Sequence, residues 1–122
     1  MGSPMTLDEF FARFEGSCRI FDTLYAVIVA LGPVEMRVTK SQIAFRRQKA
    51  FAWAWVPDRY LSGTHAPLVL TLSFPQQKDS SRWKEIVEPA PGRFMHHLEL
   101  RSQSEIDEEV RTWLRESWEA AA

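Results

Sequence analysis

The chain has 122 residues, of which 45% are hydrophobic and 12% aromatic, and its net charge at pH 7 is −1. This composition is typical of one globular domain and unlike that of a disordered chain. A nearly neutral chain has no overall field that would draw it to nucleic acid or to an anionic membrane. A charged partner must therefore be recognised by a local patch.

The cysteine count and the hydropathy pattern indicate a soluble, cytoplasmic protein. Cys18 is the single cysteine, which excludes an intrachain disulfide and a zinc site built on several thiolates. The longest apolar run, Leu24 to Leu31, is too short to span a bilayer, and acidic residues precede it. We expect residues 1–5 to be an added or disordered N-terminal segment and residues 6–122 to form a single α+β domain.

Two helices are predicted at the start of the domain. Thr6 and Glu9 form a capping-box pattern that opens a short helix. Its apolar positions recur at helical spacing: Leu7, Phe10, Phe11 and Phe14. A second helix is expected from about Ser17 to Leu31, because an apolar stripe runs along this stretch and Gly32 and Pro33 stop it.

The stretch from Val38 to Val56 predicts a central β-hairpin. Apolar residues occupy alternate positions on both arms: Ile43, Phe45, Phe51, Trp53 and Trp55. Four polar residues separate the arms: Arg46, Arg47, Gln48 and Lys49. Everything else in the chain is expected to cover this hairpin.

The register of the hairpin decides where its side chains lie. A two-residue turn at Gln48 and Lys49 pairs Ala44 with Trp53. It places cations, an amide and aromatic rings on one face: Lys40, Gln42, Arg46, Phe51, Trp53 and Trp55. A three-residue loop instead pairs Phe45 with the first aromatic residue of the second arm and turns the aromatic rings into the core. Both registers stay open, because the turn lacks the glycine or asparagine that two-residue turns prefer.

The second half of the chain predicts two more strands and a helix. Leu68 to Phe74 and Arg93 to Arg101 alternate in hydropathy, and His96 faces the opposite side from His97. The segment from Arg82 to Val87 is expected to form one helical turn. Ser104 with Asp107 opens the last helix, whose inner face carries Ile106, Val110, Trp113, Leu114 and Ser117. The fold class is therefore α+β: an antiparallel four-stranded meander covered by two N-terminal helices and one C-terminal helix.

No catalytic group, metal site or cofactor is predicted. His96 and His97 point to opposite faces of a strand, so a shared metal ion would need His65 or a carboxylate from elsewhere. Cys18 lies at a helix start with no histidine near it in sequence, and a packed thiol is the simpler interpretation.

A cationic segment is the feature that most suggests binding. Five cations and no acid lie between residues 37 and 49: Arg37, Lys40, Arg46, Arg47 and Lys49. They either form a ligand surface or are the solvated tip of a hairpin whose cations prevent aggregation. The candidate ligand-binding residues are Lys40, Arg46, Arg47, Trp53, Trp55 and His97.

Four runs carry a family resemblance: VTKSQIAFRRQKAFAWAW, PLVLTLSF, RWKEIVEPAPGRFMHHLEL and DEEVRTWLRESWEAA. From about Thr6 onward the chain resembles the bacterial domain-of-unknown-function family 5655 and, distantly, iron-chaperone-like small α+β domains. The resemblance implies architecture and no catalytic residue. It does not carry iron binding to this chain, because the acidic or histidine ligands that iron needs cannot be assembled here.

The leading functional hypothesis is a non-catalytic binding module. Its basic, aromatic hairpin would recognise an anionic small molecule or an acidic segment of a partner protein. One alternative is a small enzyme with a pocket between the hairpin and the C-terminal helix. Another is a binder of single-stranded nucleic acid, which interleaved cations and aromatic rings suit and the net charge disfavours. No membrane partner is expected.

Overall fold

The computed structural model describes residues 5–59 and 65–122, which form a six-stranded antiparallel sheet with helices on one face. The strands are β1 (Glu35–Val38), β2 (Ile43–Arg46), β3 (Ala50–Trp55), β4 (Leu68–Phe74), β5 (Glu85–Ala90) and β6 (Arg93–Leu100). The helices are α1 (Leu7–Phe10), α2 (Glu15–Val29) and α3 (Glu108–Ala120), with short 3-10 turns at Pro57–Arg59 and Gln103–Glu105. The predicted α+β class with an antiparallel sheet and three helices is confirmed.

Part of the predicted chain organisation lies outside the described residues. This holds for the expected N-terminal segment except Met5, whose N–H donates to the Val38 carbonyl at 3.2 Å. It also holds for residues 60–64, in the middle of the expected turn-rich loop. The single-domain expectation for residues 6–122 therefore stays a prediction.

The strand count and the simple meander are wrong. The order across the sheet is β1-β2-β3-β4-β6-β5, so the described residues form six strands and β6 lies between β4 and β5. Both strands that the sequence pattern misses, β1 and β5, are edge strands, and an edge strand needs no alternating apolar side chains. The helical turn expected over Arg82–Val87 is wrong because β5 pairs with β6, with Glu85 opposite His97.

The helix boundaries differ in detail from those predicted. The capping box is confirmed, since the Thr6 side chain accepts from the Glu9 N–H and the Glu9 carboxylate accepts from the Thr6 N–H. The helix that it opens ends at Phe10 and does not continue to Phe14. The last helix is capped by Asp107, whose side chain accepts from the Val110 N–H, because the residues from Gln103 to Glu105 form a separate 3-10 turn.

The hydrophobic core fills the space between one face of the sheet and the helices. α3 packs on β3 and β4, and α2 packs on β4 and α3. On β6 the core face carries His96, Leu98 and Leu100, which are all buried. The expected burial of Trp113 is confirmed, because 7% of its surface is exposed.

The hairpin combines features of both predicted registers. The loop has three residues between Arg46 and Ala50, which pair with each other, as in the three-residue alternative. A β-bulge then shifts the register, so that Phe45 pairs with Ala52 and Ala44 with Trp53. The bulge places Phe51 in the core and leaves Trp53 on the face opposite the helices. The expectation that Phe51 shares the face of Trp53 is therefore wrong.

Candidate functional site

The sheet face opposite the helices, here called the open face, carries an aromatic and polar row. Cα partners across five neighbouring strands are Ala44, Trp53, Thr71, His97 and Glu85. Alternation along β3 turns Ala52 and Ala54 into the core, where both are fully buried. The open face therefore receives the two tryptophans of β3.

A groove of about 370 Å³ lies in the middle of the open face and is called the tryptophan groove. Its lining comes from three strands and the turn before β2: Gln42, Trp53, Trp55, Thr71, Arg93, Met95 and His97. Trp53 and Trp55 are half-buried, so part of each indole is available to a ligand. The groove is within the size range of small-molecule sites and has an apolar floor with a few polar groups.

His97 is held in the tryptophan groove by its neighbour on β4. The Thr71 hydroxyl and His97 Nδ1 are 2.7 Å apart and share a hydrogen bond. Burial lowers the pKa of His97 below the ordinary histidine value, and the Glu85 carboxylate opposes this shift. A histidine with a lowered pKa is neutral at pH 7, so it supplies hydrogen bonds and no positive charge.

A second groove, the edge groove, continues the open face over β1 and β2. It has a volume of about 520 Å³, and its lining includes the cations Arg37 and Arg46 and one acid, Glu35. The residues that line these two grooves include no helix residue. The bulge places Arg46 here beside Ala44, the partner of Trp53. The open face thus combines aromatic rings with arginines, as the two-residue register had predicted for Arg46.

Two predicted site residues lie elsewhere. The Arg47 guanidinium lies 3.6 Å from the centroid of the Trp118 ring and donates to the Trp118 carbonyl at 3.3 Å. Arg47 therefore contacts the C-terminal end of α3. Lys40 is exposed in the turn between β1 and β2, and it lines neither the tryptophan groove nor the edge groove.

A third groove, the end groove, lies between the hairpin and the C-terminal end of α3. This is where the enzyme alternative places its pocket. It has a volume of about 460 Å³, and three cations line it: Arg46, Lys49 and Arg93. Its lining contains no histidine, cysteine or carboxylate. The end groove therefore has the charge to hold an anion and lacks a nucleophile paired with a base.

The remaining candidate residues, the histidines and Cys18, do not form a catalytic or metal centre. His96 is fully buried. The burial of Cys18 raises the pKa of its thiol, and the Asp22 and Asp8 charges add to this shift. Across residues 5–59 and 65–122, no group of three or more His, Cys, Asp and Glu side chains could hold a metal ion. Within the same residues, no helix has the length and apolar character needed to cross a membrane.

The groove residues that sequence reasoning did not include in the site are Arg37, Thr71, Arg93 and Met95, among others. Strand alternation puts Met95 on the face of His97, and Thr71 alternates with the apolar residues of its strand. That signal could have added both residues to the site. The arginines could not be placed, because the strand order and the edge strand β1 were unknown.

Comparison with known proteins identifies the family. A family model described as Domain of unknown function (DUF5655) matches residues 8–121. The chain belongs to this family, as the resemblance of its sequence runs indicated. No curated protein and no solved structure matches the chain. The family description states no activity.

Proposed function

We propose that this domain is a non-catalytic binding module that recognises a small anionic ligand on the open face of its sheet. The main support for this proposal is that Trp53, Trp55 and His97 lie on one uncovered face of the sheet. Arg46 lies on the same face. The planar body of the ligand rests on the tryptophan groove, and its anionic group lies toward the arginines.

The charge distribution around the open face supports an anion. Three arginines and one glutamate line the tryptophan and edge grooves: Arg37, Arg46, Arg93 and Glu35. Because His97 is neutral at pH 7, the positive charge comes from the arginines alone. Arginine suits this role, since its planar guanidinium binds carboxylates and phosphates through two parallel hydrogen bonds.

The aromatic floor supports a ligand with a planar or apolar part. Large half-exposed indoles give contact area at low conformational cost, because a tryptophan side chain has only two rotatable bonds. A cation beside an aromatic ring gives a further attraction of about 0.5–2 kcal/mol. A small ligand with both parts should bind with a dissociation constant of about 0.1–1 mM, since the site is open to solvent.

The experiment is a titration of benzoate, phenyl phosphate and adenosine monophosphate followed by tryptophan fluorescence and calorimetry. We expect saturable binding that Trp53→Ala abolishes and Arg46→Ala weakens about tenfold. Arg115→Ala, which removes an exposed arginine on α3, is the matched control and should bind as the parent does.

Two outcomes contradict the proposal. In the first, none of the three ligands perturbs the tryptophans at low millimolar concentration. In the second, Trp53→Ala and Arg46→Ala bind as well as the parent. If only an acidic peptide shows saturable binding, the ligand is not a small molecule. It is then an acidic segment of a partner protein, which is the other form of the leading hypothesis.

A further inference from the structure

Three cations and no acidic side chain line the end groove. Four cations elsewhere in the described residues form ion pairs: Lys78 with Glu116, Arg82 with Asp107 and Glu109, and Lys84 and Arg101 with Glu99. Within residues 5–59 and 65–122, Arg46, Lys49 and Arg93 have no ion-pair partner, and all three line the same groove.

The groove also offers polar groups and space. Ser73 lines it, and the Ser73 hydroxyl has no hydrogen-bond partner among the described residues, whereas the Ser117 hydroxyl already donates to the Leu114 carbonyl at 3.0 Å. A Cβ built on Gly92 would meet nothing within 4 Å, so the turn before β6 opens onto free space. The nearby Glu88 carboxylate accepts from the Gly92 N–H at 3.1 Å and is not part of the lining.

The carbonyl groups at the end of α3 do not repel an anion strongly here. The N–H groups of Gln48 and Lys49 both donate to the Ala121 carbonyl, at 2.9 and 3.1 Å. These donors offset the negative end of the helix dipole. The charged side chains that line the end groove are all positive.

From this placement we infer that the end groove is a binding site for a phosphoryl group. The inference deepens the proposed function and rests on it: the anionic group of the ligand is a phosphomonoester. Three unpaired cations fit a group that carries a charge of about −1.5 to −2 at pH 7 better than a single carboxylate. Arg46 and Arg93 each line the end groove and one groove of the open face, so they connect the phosphoryl site with the aromatic floor.

The test uses inorganic phosphate and the full chain at constant ionic strength. We expect saturable phosphate binding by calorimetry and amide chemical-shift changes at Ser73 and Gly92. Lys49→Ala and Arg93→Ala should each weaken phosphate binding about tenfold. Arg115→Ala is again the control and should leave phosphate binding unchanged. Lys49→Glu reverses the charge and should abolish phosphate binding. The backbone N–H of residue 49 still donates to the Ala121 carbonyl in this variant, so the cap of α3 is kept.

The outcomes separate this inference from the proposed function. If phosphate does not saturate, or if Lys49→Ala and Arg93→Ala bind it as the parent does, the phosphoryl site is refuted. The proposed function then survives if benzoate still quenches the parent and not Trp53→Ala. If neither phosphate nor benzoate binds, both proposals fall together.

Discussion

His96 and His97 are neighbours in the chain with opposite environments. His96 is fully buried, and its ring lies against Phe74 and Trp83 with centroid distances of 4.9 Å to each. Its Nε2 accepts from the Lys78 N–H at 3.0 Å, and its Nδ1 donates to the Phe94 carbonyl at 3.1 Å. Both ring nitrogens are thus satisfied in the neutral form, and protonation would place two donors, Nε2–H and the Lys78 N–H, against each other.

This geometry predicts that the protein loses stability in mild acid. Burial lowers the pKa of His96, the Lys78 and His97 charges add to this, and hydrogen bonds to the Phe94 and Leu72 backbone oppose it. Because the folded-state pKa lies below that of the unfolded chain, the unfolded state takes up the proton first as the pH falls. The free energy of unfolding should therefore decrease from about pH 6.5 downward, by at most about 1.4 kcal/mol per pH unit for this one proton.

Urea unfolding between about pH 8 and pH 5 measures this effect. His96→Phe cannot take up the proton. It should be less stable than the parent at high pH by about 1–3 kcal/mol, since the Lys78 N–H loses its acceptor, and the difference should narrow below pH 6.5. The pKa of His97 is also lowered, so the comparison is repeated in a His97→Gln background. If the free energy of unfolding depends on pH in the same way in His97→Gln and in the double variant with His96→Phe, His96 is not the titrating group.

Among the elements, the hairpin loop has a structural role that its charge does not reveal. The last carbonyl groups of a helix need donors from outside the helix. For α3 they come from the loop Arg47–Lys49, through two backbone N–H groups and the Arg47 guanidinium. The indole Nε1 of Trp118 donates to the Pro33 carbonyl at 3.1 Å. A Cβ on Gly32, whose φ is +143°, would lie 2.7 Å from the Trp118 ring.

Arg46 and Arg47 should therefore respond differently to the same substitution. Arg47→Ala removes a cation–π contact and a charged hydrogen bond to the end of α3, and it should lower the free energy of unfolding by about 1–2 kcal/mol. Arg46→Ala removes an exposed side chain without an ion-pair partner among the described residues and should stay within about 0.5 kcal/mol of the parent. Denaturant midpoints compare them directly. Equal stability of the two variants would mean that the loop does not hold the helix end.

The hairpin also shows what the sequence alone can predict about an element. Alternation identified both arms, because Ile43 and Phe45 on the first arm and the three aromatic residues on the second repeat with the period of a strand. It could not identify the bulge between Phe45 and Arg46, since a bulge depends on how Phe51 reaches the core and how the loop meets the end of α3. Those contacts join residues more than 70 positions apart, as between Arg47 and Trp118. Because the sequence does not determine this register, it does not determine which residues share the open face either.

At the scale of the whole molecule, the interior strands were predictable and the edges were not. β4 and β6 have a core face with consistent alternation, so their positions follow from the pattern. β5 has almost no buried residue and contains Pro89, so nothing in its sequence distinguishes it from a loop. β1 likewise has a single buried residue, Val38. Without both edges, neither the width of the open face nor the edge groove could be predicted.

The last prediction tests whether the two faces of the sheet differ as the fold requires. Trp113 on α3 is buried against Trp83, with ring centroids 4.2 Å apart, and α3 packs on β3 and β4. Trp113→Ala should lower the free energy of unfolding by about 3–5 kcal/mol, through lost apolar burial and the cavity left behind. Trp53→Ala makes the same chemical change on the open face, where the indole is half-buried, and should cost about 1–2 kcal/mol. Denaturant unfolding of both variants gives the comparison. A Trp113→Ala variant as stable as Trp53→Ala would contradict the packing of α3 on the sheet and, with it, the assignment of the opposite face as the exposed one.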